Sequence, residues 1–421
     1  MKIQKISVSQ INPAPYNPRV DLTPEDPAYQ ELEKSMTNLG YVDPIVWNCQ
    51  TGNLVGGHQR FKILVNQGLT EIDVSVVDLP LEKEKALNIA LNKIKGQWDY
   101  PKLANILQDF GQVPDFDFES IGFTAPDLSN ILDNYLPMQD DAFDFDAAVE
   151  SIEEPITKKG DLVELGLHKV LCGDAADYDD LKRLVSDAKV DLIISDPPYL
   201  ARYLPGNRPG KKKNKKRSSG KMIQNDAMSQ QEYDAWLNQV LTNITSVISA
   251  GTPFYIWNGF RQFGSMGQML INLNCHLSNV ITWMKPSICI SYSDYNFQSE
   301  FCLYGWLKGD VPHKWYGSTK ESNVHQVARP TSRIHQNQKP LELIQRSIRN
   351  SSKRGDVVLD IFLGSGTSLV SAESLGRRCF GIEVDPKYVD GIVRRYIAFV
   401  GKDNVSPEIR KRYVKEDSDG K

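Results

Sequence analysis

The sequence predicts an α/β protein whose larger, C-terminal part is built on a doubly wound, mostly parallel sheet and follows a small α+β domain. Three observations predict it. Residues 190–194, 254–257 and 357–361 are near-continuous apolar runs separated by helix-length segments, the pattern of strands buried on both faces. Before residue 98, short β-rich runs (44–47 and 72–77) alternate with helical patterns over 29–39, 59–67 and 82–93. A chain of 421 residues is also long for one domain, at roughly 100–200 residues per domain.

Charge divides the chain further. The formal net charge is −4, but residues 103–157 contain no Lys or Arg and 13 acids, so the remainder carries +9. The expected division is an α+β domain over 1–98, an acidic and partly helical linker over 99–156, the main domain over 157–400 and a polar tail over 401–421. Within the acidic stretch 125–132 reads as a short capped helix, and 139–150 as solvated connector. Residues 205–221, including Lys211, Lys212, Lys213, Lys215, Lys216 and Arg217, read as an exposed basic loop. The overall acidity argues against a nucleic-acid partner, whereas the distribution argues for one.

Composition excludes several classes. No apolar run approaches the roughly 18–20 residues of a membrane-spanning helix, and residues 1–6 lack the apolar core of a signal peptide. A cytoplasmic protein with no membrane partner is expected. The six cysteines are scattered without a C-x-x-C pair, so buried reduced thiols are expected rather than disulfides or a metal site.

Two constellations carry chemistry. An apolar run ends in Asp360, is followed by Phe362-Leu363-Gly364-Ser365-Gly366-Thr367 and a helical pattern, and then a second apolar run ends in Glu383. Glycines let backbone approach a ligand, a helix start presents free N–H groups, and an acid at a strand tip can accept two hydrogen bonds from a ribose diol. The turn does not spell G-x-G-x-x-G, so a pyrophosphate is not its natural guest. Upstream, Ser195-Asp196-Pro197-Pro198-Tyr199 follows a buried strand, and the paired prolines make a rigid extended exit.

The glycine turn resembles motif I of the S-adenosylmethionine-dependent amino-methyltransferases of DNA, and Asp196-Pro197-Pro198-Tyr199 resembles their D-P-P-Y motif. The catalytic motif comes first, an order similar to the permuted β class. Over residues 157–398 the resemblance implies a Rossmann-like methyltransferase sheet and S-adenosyl-L-methionine as cofactor. It implies cofactor contacts from Asp360, Phe362, Gly364, Ser365, Gly366, Thr367 and Glu383, from Lys339 and Pro340 in the segment 337–341 beside the methionine end, and from Asp174 near the adenine. Residues 279–286 and 299–306 are similar to the family's later strands. The interval 308–335 is short for a target-recognition region, which implies low sequence specificity or specificity shared with other segments.

The chemistry explains the catalytic motif. An exocyclic base amine is a weak nucleophile because its lone pair is delocalised into the ring. If the Asp196 carboxylate and the Pro197 carbonyl each accept one N–H, the nitrogen is drawn toward tetrahedral geometry, and positioning supplies the rate. Tyr199 would stack on a base that has left the helix.

In the N-terminal part, Tyr16-Asn17-Pro18-Arg19, Gly56-Gly57-His58-Gln59-Arg60 and Ala90-Leu91-Asn92-Lys93 resemble the domain shared by ParB partition proteins and sulfiredoxin. That resemblance implies a phosphate site at Gly57, His58 and Arg60. Sulfiredoxin chemistry needs a loop cysteine, and His58 stands there instead. The expected function is transfer of a methyl group to adenine N6 in double-stranded DNA, with a homodimer as a further expected partner state. The alternatives are a cytosine-N4 enzyme, an RNA or protein methyltransferase, and a nucleotide-dependent DNA-binding or nuclease protein with a degenerate methyltransferase fold.

Overall fold

The computed structural model describes residues 2–92, 98–111, 113–136, 141–199, 228–289, 294–327 and 339–414. The chain forms two compact units, Met1–Met138 and Gln139–Lys421.

In the first unit β1 (Lys2–Ser7), β2 (Asn12–Pro13), α1 (Pro27–Leu39), β3 (Ile45–Asn48), β4 (Asn53–Gly56), α2 (His58–Asn66), β5 (Glu71–Val77) and α3 (Leu81–Asn92) follow one another. The strands form one sheet in the order β1-β5-β3-β4-β2. Ile45, Leu54, Phe61, Leu64, Ile72 and Val74 fill its core. A buried carboxylate ties the segments together: Glu84 on α3 accepts hydrogen bonds from Tyr16, Asn48, Thr51 and Asn53.

The acidic stretch is folded, which corrects the linker expected over 99–156. Helices α4 (Tyr100–Phe110) and α5 (Ala125–Tyr135) belong to the first unit. Leu103, Ile106, Leu107 and Phe110 recur at helical spacing and are buried with Ile89, Ile121 and Ile131. Thr124 and Asp127 close a capping box on α5. Asp109 on α4, Asp115 and Asp117 between the helices, and Asp127 on α5 are exposed, while the other side of both helices is core.

Residues 141–156 are also folded, within the second unit. Helix α6 (Phe145–Glu150) packs on α12 (Pro386–Val400), and Phe145 is fully buried. A Cβ on Gly391 would meet the Phe145 ring at 2.9 Å, so only glycine leaves room for it. The expected polar tail is likewise structured as far as residue 414: α13 (Pro407–Tyr413) buries Ile409 and Tyr413 in the main core.

Between these ends run β6 (Leu162–Leu165), β7 (His168–Cys172), α7 (Tyr178–Val185), β8 (Leu192–Ser195), α8 (Gln230–Ser246), β9 (Pro253–Asn258), α9 (Phe263–Asn272), β10 (Cys275–Cys289), β11 (Phe297–Leu307), β12 (Val324–Gln326), α10 (Leu341–Ser351), β13 (Val357–Asp360), α11 (Thr367–Ser374) and β14 (Arg378–Glu383). The strands make one sheet in the order β12-β10-β11-β9-β8-β13-β14-β7-β6. From β9 to β7 neighbouring strands are parallel, while β11 and β6 pair antiparallel at the flanks. Two cores, one on each face, bury β8, β9 and β13 completely and the middle four residues of β14. Among the described residues no helix is long and apolar enough to cross a membrane.

Candidate active site

Four adjacent parallel strands, β7, β14, β13 and β8, end at one edge of the sheet, where open α/β sheets bind ligands. Asp174 follows β7, Glu383 ends β14, Asp360 ends β13, and Asp196 follows β8. The motifs around Asp196 and Asp360 are far apart in sequence yet share one edge because β8 pairs directly with β13.

The turn after β13 is held in an open shape. Gly364 and Gly366 have φ of 53° and 83°, the left-handed region that glycine enters without strain. Gly366 caps α11, and its N–H bonds the Leu363 carbonyl at 2.8 Å. Asp360 accepts from Ser368 Oγ (2.6 Å), Phe362 N (3.1 Å) and Ser195 Oγ (3.1 Å), so it is a buried pin for the turn and links it to β8. Burial pushes the Asp360 carboxyl up to about 6 against those three donors.

Glu383 accepts Gly364 N (2.9 Å) on one oxygen and Asp385 N (3.0 Å) on the other. Burial raises its carboxyl to about 7, with the two N–H groups pulling the other way. Asp174 accepts the Ala176 N–H at 2.9 Å. A Cβ on Gly364 would meet nothing closer than the Phe362 carbonyl at 3.9 Å, so the space beside the turn is open. That open backbone beside two strand-tip carboxylates suits a ligand with a ribose diol and an amino-acid end.

The Glu383 shift predicts a pH dependence. If Glu383 holds the ribose hydroxyls of the cofactor, the ionised carboxylate is the accepting form, and affinity should be complete well above pH 7 and decline as pH falls through it. The dissociation constant of S-adenosylhomocysteine should rise roughly tenfold between pH 8 and pH 6, measured by calorimetry. Glu383→Gln should bind weakly with a flat profile, and a flat wild-type profile would refute the assignment.

At the end of β8 the catalytic motif is braced on all sides. Tyr199 donates its hydroxyl to Asp196, and Tyr233 of α8 donates to the Pro198 carbonyl at 2.7 Å. Among the described residues no donor reaches the Pro197 carbonyl. Lys339 is buried against the same carboxylate: its Nζ lies 2.5 Å from Asp196 Oδ2 and 3.1 Å from Glu300 Oε2, and it sits 5.1 Å from the Trp257 ring centroid. Burial alone would lower the Lys339 ammonium, but Asp196 and Glu300 outweigh it and hold it charged. Glu300 also pairs with Lys285. Burial works against its ionisation, yet the two lysines hold it at about 2.

Several of these partners escaped the sequence reading. Glu300 and Lys285 are charged residues inside β11 and β10, which read only as strands, and their presence in apolar runs was the available signal. Trp257 read as part of a buried strand, and Tyr233 fell outside every pattern singled out. Lys339, expected beside the methionine end of the cofactor, contacts the catalytic motif through Asp196. Pro340 caps α10 beside it. Phe362 packs against Trp236, with ring centroids 5.6 Å apart. Lys211, Lys212, Lys213, Lys215, Lys216 and Arg217 lie outside the described residues.

In the first unit Gly57 (φ 90°) starts α2, and a Cβ there would strike Ile45 at 2.7 Å. Arg60 pairs with Asp43, and Gln59 bonds the Val20 carbonyl at 3.3 Å, which sets the segment after Arg19 beside this helix start. Burial lowers His58 to about 4, so its ring is neutral at physiological pH. His58 Nε2, Asn17 Oδ1 and both Arg19 Nη atoms are buried without a hydrogen-bond partner among the described residues.

A parallel sheet with a glycine turn on one strand and an Asp-Pro-Pro-Tyr exit on its neighbour defines a nucleotide-cofactor group-transfer fold. Comparison with known proteins specifies the class. Residues 190–394 match the DNA methylase family model, and residues 1–93 match that of the ParB N-terminal domain. The chain carries a DNA methyltransferase domain of the N6/N4 amino type, dependent on S-adenosylmethionine, and an N-terminal ParB-type domain. It is 28% identical over 250 residues to the Type II methyltransferase M2.MboI of Moraxella bovis, covering 54% of this chain and 88% of that one. To the Type II methyltransferase M.HinfI of Haemophilus influenzae it is 26% identical over 252 residues, covering 54% and 68%. The crystal structure of M1.HpyAVI aligns with a TM-score of 0.40 at 22% identity, covering 54% of this chain and 96% of that one.

Proposed function

We propose that the enzyme methylates the N6 amine of an adenine flipped out of double-stranded DNA. S-adenosylmethionine supplies an electrophilic methyl group. Gly364, Ser365, Gly366, Glu383 and Asp174 would hold it at the strand ends, with Phe362 and Thr367 flanking the turn. The observation that carries the reading is the pair of acceptors after β8: the Asp196 carboxylate, fixed by Lys339 and Tyr199, and the Pro197 carbonyl, which no donor among the described residues occupies. Two acceptors match the two N–H bonds of an exocyclic amine. Attack of the amine lone pair on the methyl carbon would break the cofactor's carbon–sulfur bond and release S-adenosylhomocysteine; the Asp196 carboxylate would stabilise the positive charge arising on nitrogen until one N–H proton passes to water. Asp, rather than Ser, at the head of the motif favours adenine over cytosine N4.

Long-read sequencing of DNA from cells expressing the protein tests the base. N6-methyladenine in a recurring context, lost in Asp196→Ala, is the expected outcome; N4-methylcytosine in its place would reassign the enzyme. The basic sequence at 205–221 follows Tyr199 closely along the chain, and its charge suits non-specific phosphate attraction. In the ParB-type unit, unpartnered buried donors on Arg19 beside the start of α2 support a nucleotide phosphate site that includes Gly57, His58 and Arg60.

A further inference from the structure

The cofactor turn is braced from a place no motif marks. Arg395 on α12 is 1% exposed and forks in two directions. Its Nε and Nη2 donate to Asp141 Oδ2, the former at 2.8 Å. Its Nη1 donates to the Ser365 carbonyl at 2.7 Å and lies 3.3 Å from Ser365 Oγ and 3.4 Å from Thr367 Oγ1. Asp141 is itself buried, 7% exposed, and stands near the start of the second unit. The chain after it is fastened to the same helix: Asp390 accepts the N–H groups of Ile156 (2.6 Å) and Thr157 (3.0 Å), and Lys387 donates to the Ile152 carbonyl.

We infer that Asp141 is a positioning residue for the cofactor turn, acting through Arg395. The Ser365–Gly366 peptide is gripped at both ends, its carbonyl by Arg395 and its N–H by the Leu363 carbonyl. Glu383 holds the Gly364 N–H from the opposite side. A guanidinium shared between a carboxylate and a carbonyl fixes direction better than either contact alone, because its donors form a rigid fork. With Asp141 gone the guanidinium keeps its charge but loses its anchor, and the peptide between the two glycines, which have the widest φ freedom, is free to turn. The acidic stretch therefore supplies part of the cofactor site's support.

The inference rests on the turn being the cofactor site, and wild-type binding of S-adenosylhomocysteine tests that separately: no binding by the wild type would sink the cofactor reading and this inference with it, whereas wild-type binding with unchanged affinity in the variants sinks this inference alone. In the full-length protein Asp141→Asn should raise the dissociation constant for S-adenosylhomocysteine about tenfold or more by calorimetry. KM for S-adenosylmethionine should rise in parallel, while kcat and KM for DNA stay within about threefold. Asp141→Glu should recover part of the affinity. Arg395→Lys, which keeps the charge near Asp141 but cannot fork to Ser365, should show the same cofactor defect, and it serves as the test if Asp141→Asn does not fold. Unchanged S-adenosylhomocysteine affinity in either folded variant, or equal losses in cofactor and DNA parameters, overturns the proposal.

Discussion

Asp196→Ala is expected to lower kcat by roughly 10²–10⁴ while S-adenosylhomocysteine binds within about threefold of the wild type. The two effects separate because Asp196 follows β8 and the glycine turn follows β13; the strands pair along Leu192 and Ile193, and the Ser195–Asp360 bond that ties their ends does not involve the Asp196 side chain. Removing the carboxylate deletes one of two acceptors for the amine, and the loss falls on the step in which the nitrogen must become tetrahedral. It leaves the glycine turn, Glu383 and Asp360 intact. Lys339 keeps Glu300 as a counter-ion, so the variant should fold. Asp196→Asn keeps an acceptor oxygen of the same shape without the charge and should fall between the wild type and Asp196→Ala. Steady-state rates at saturating cofactor and DNA, beside calorimetry, decide the matter. A variant that loses cofactor binding in proportion to rate would place Asp196 on the cofactor instead of the base.

The two motifs were legible because each is local: a strand, a special turn and the next element lie within about ten residues, and the turn residues are constrained by φ. Their juxtaposition was legible only as a family resemblance, since nothing in the residues says that β8 pairs with β13. What surrounds Asp196 was not legible at all. Lys339 reaches it from more than a hundred residues away, and Glu300 and Lys285 arrive by antiparallel pairing in which Trp283 opposes Glu300. Such contacts follow from topology, which short-range pattern does not report.

The acidic stretch was misread for a different reason. Counting charge measures what faces solvent, and Asp109 of α4 and Asp127 of α5 are exposed. The spacing of Leu103, Ile106, Leu107 and Phe110 was present in the same residues and carries the opposite conclusion. Asp141 shows the limit of the compositional argument most sharply. Lying in the 139–150 segment read as solvated connector, it is buried against an arginine that supports the cofactor turn.

Lys339→Met carries the second large expected effect, and it falls on stability as well as rate. Lys339 is fully desolvated among Asp196, Glu300, Tyr199 and Trp257. Methionine fills nearly the same volume but leaves two carboxylates facing each other with only Lys285 to compensate Glu300. Breaking a buried pair from one side costs about 3–5 kcal/mol, a fall in Tm of roughly 5–15 °C for a unit of this size. The pH dependence identifies the cause. Glu300 is depressed to about 2 in the folded protein, so its contribution is complete above the unfolded carboxylate value near 4.3 and is lost as pH falls toward 2. The Tm difference between wild type and Lys339→Met should therefore be largest at neutral pH and shrink between about 4 and 2. Glu300→Gln on the Lys339→Met background removes the stranded charge and should recover part of the loss. Because Lys339 fixes the Asp196 carboxylate, kcat should fall by roughly 10² with S-adenosylhomocysteine affinity changed by less than about fivefold. A large loss of cofactor affinity with kcat preserved would instead place Lys339 on the methionine end of the cofactor.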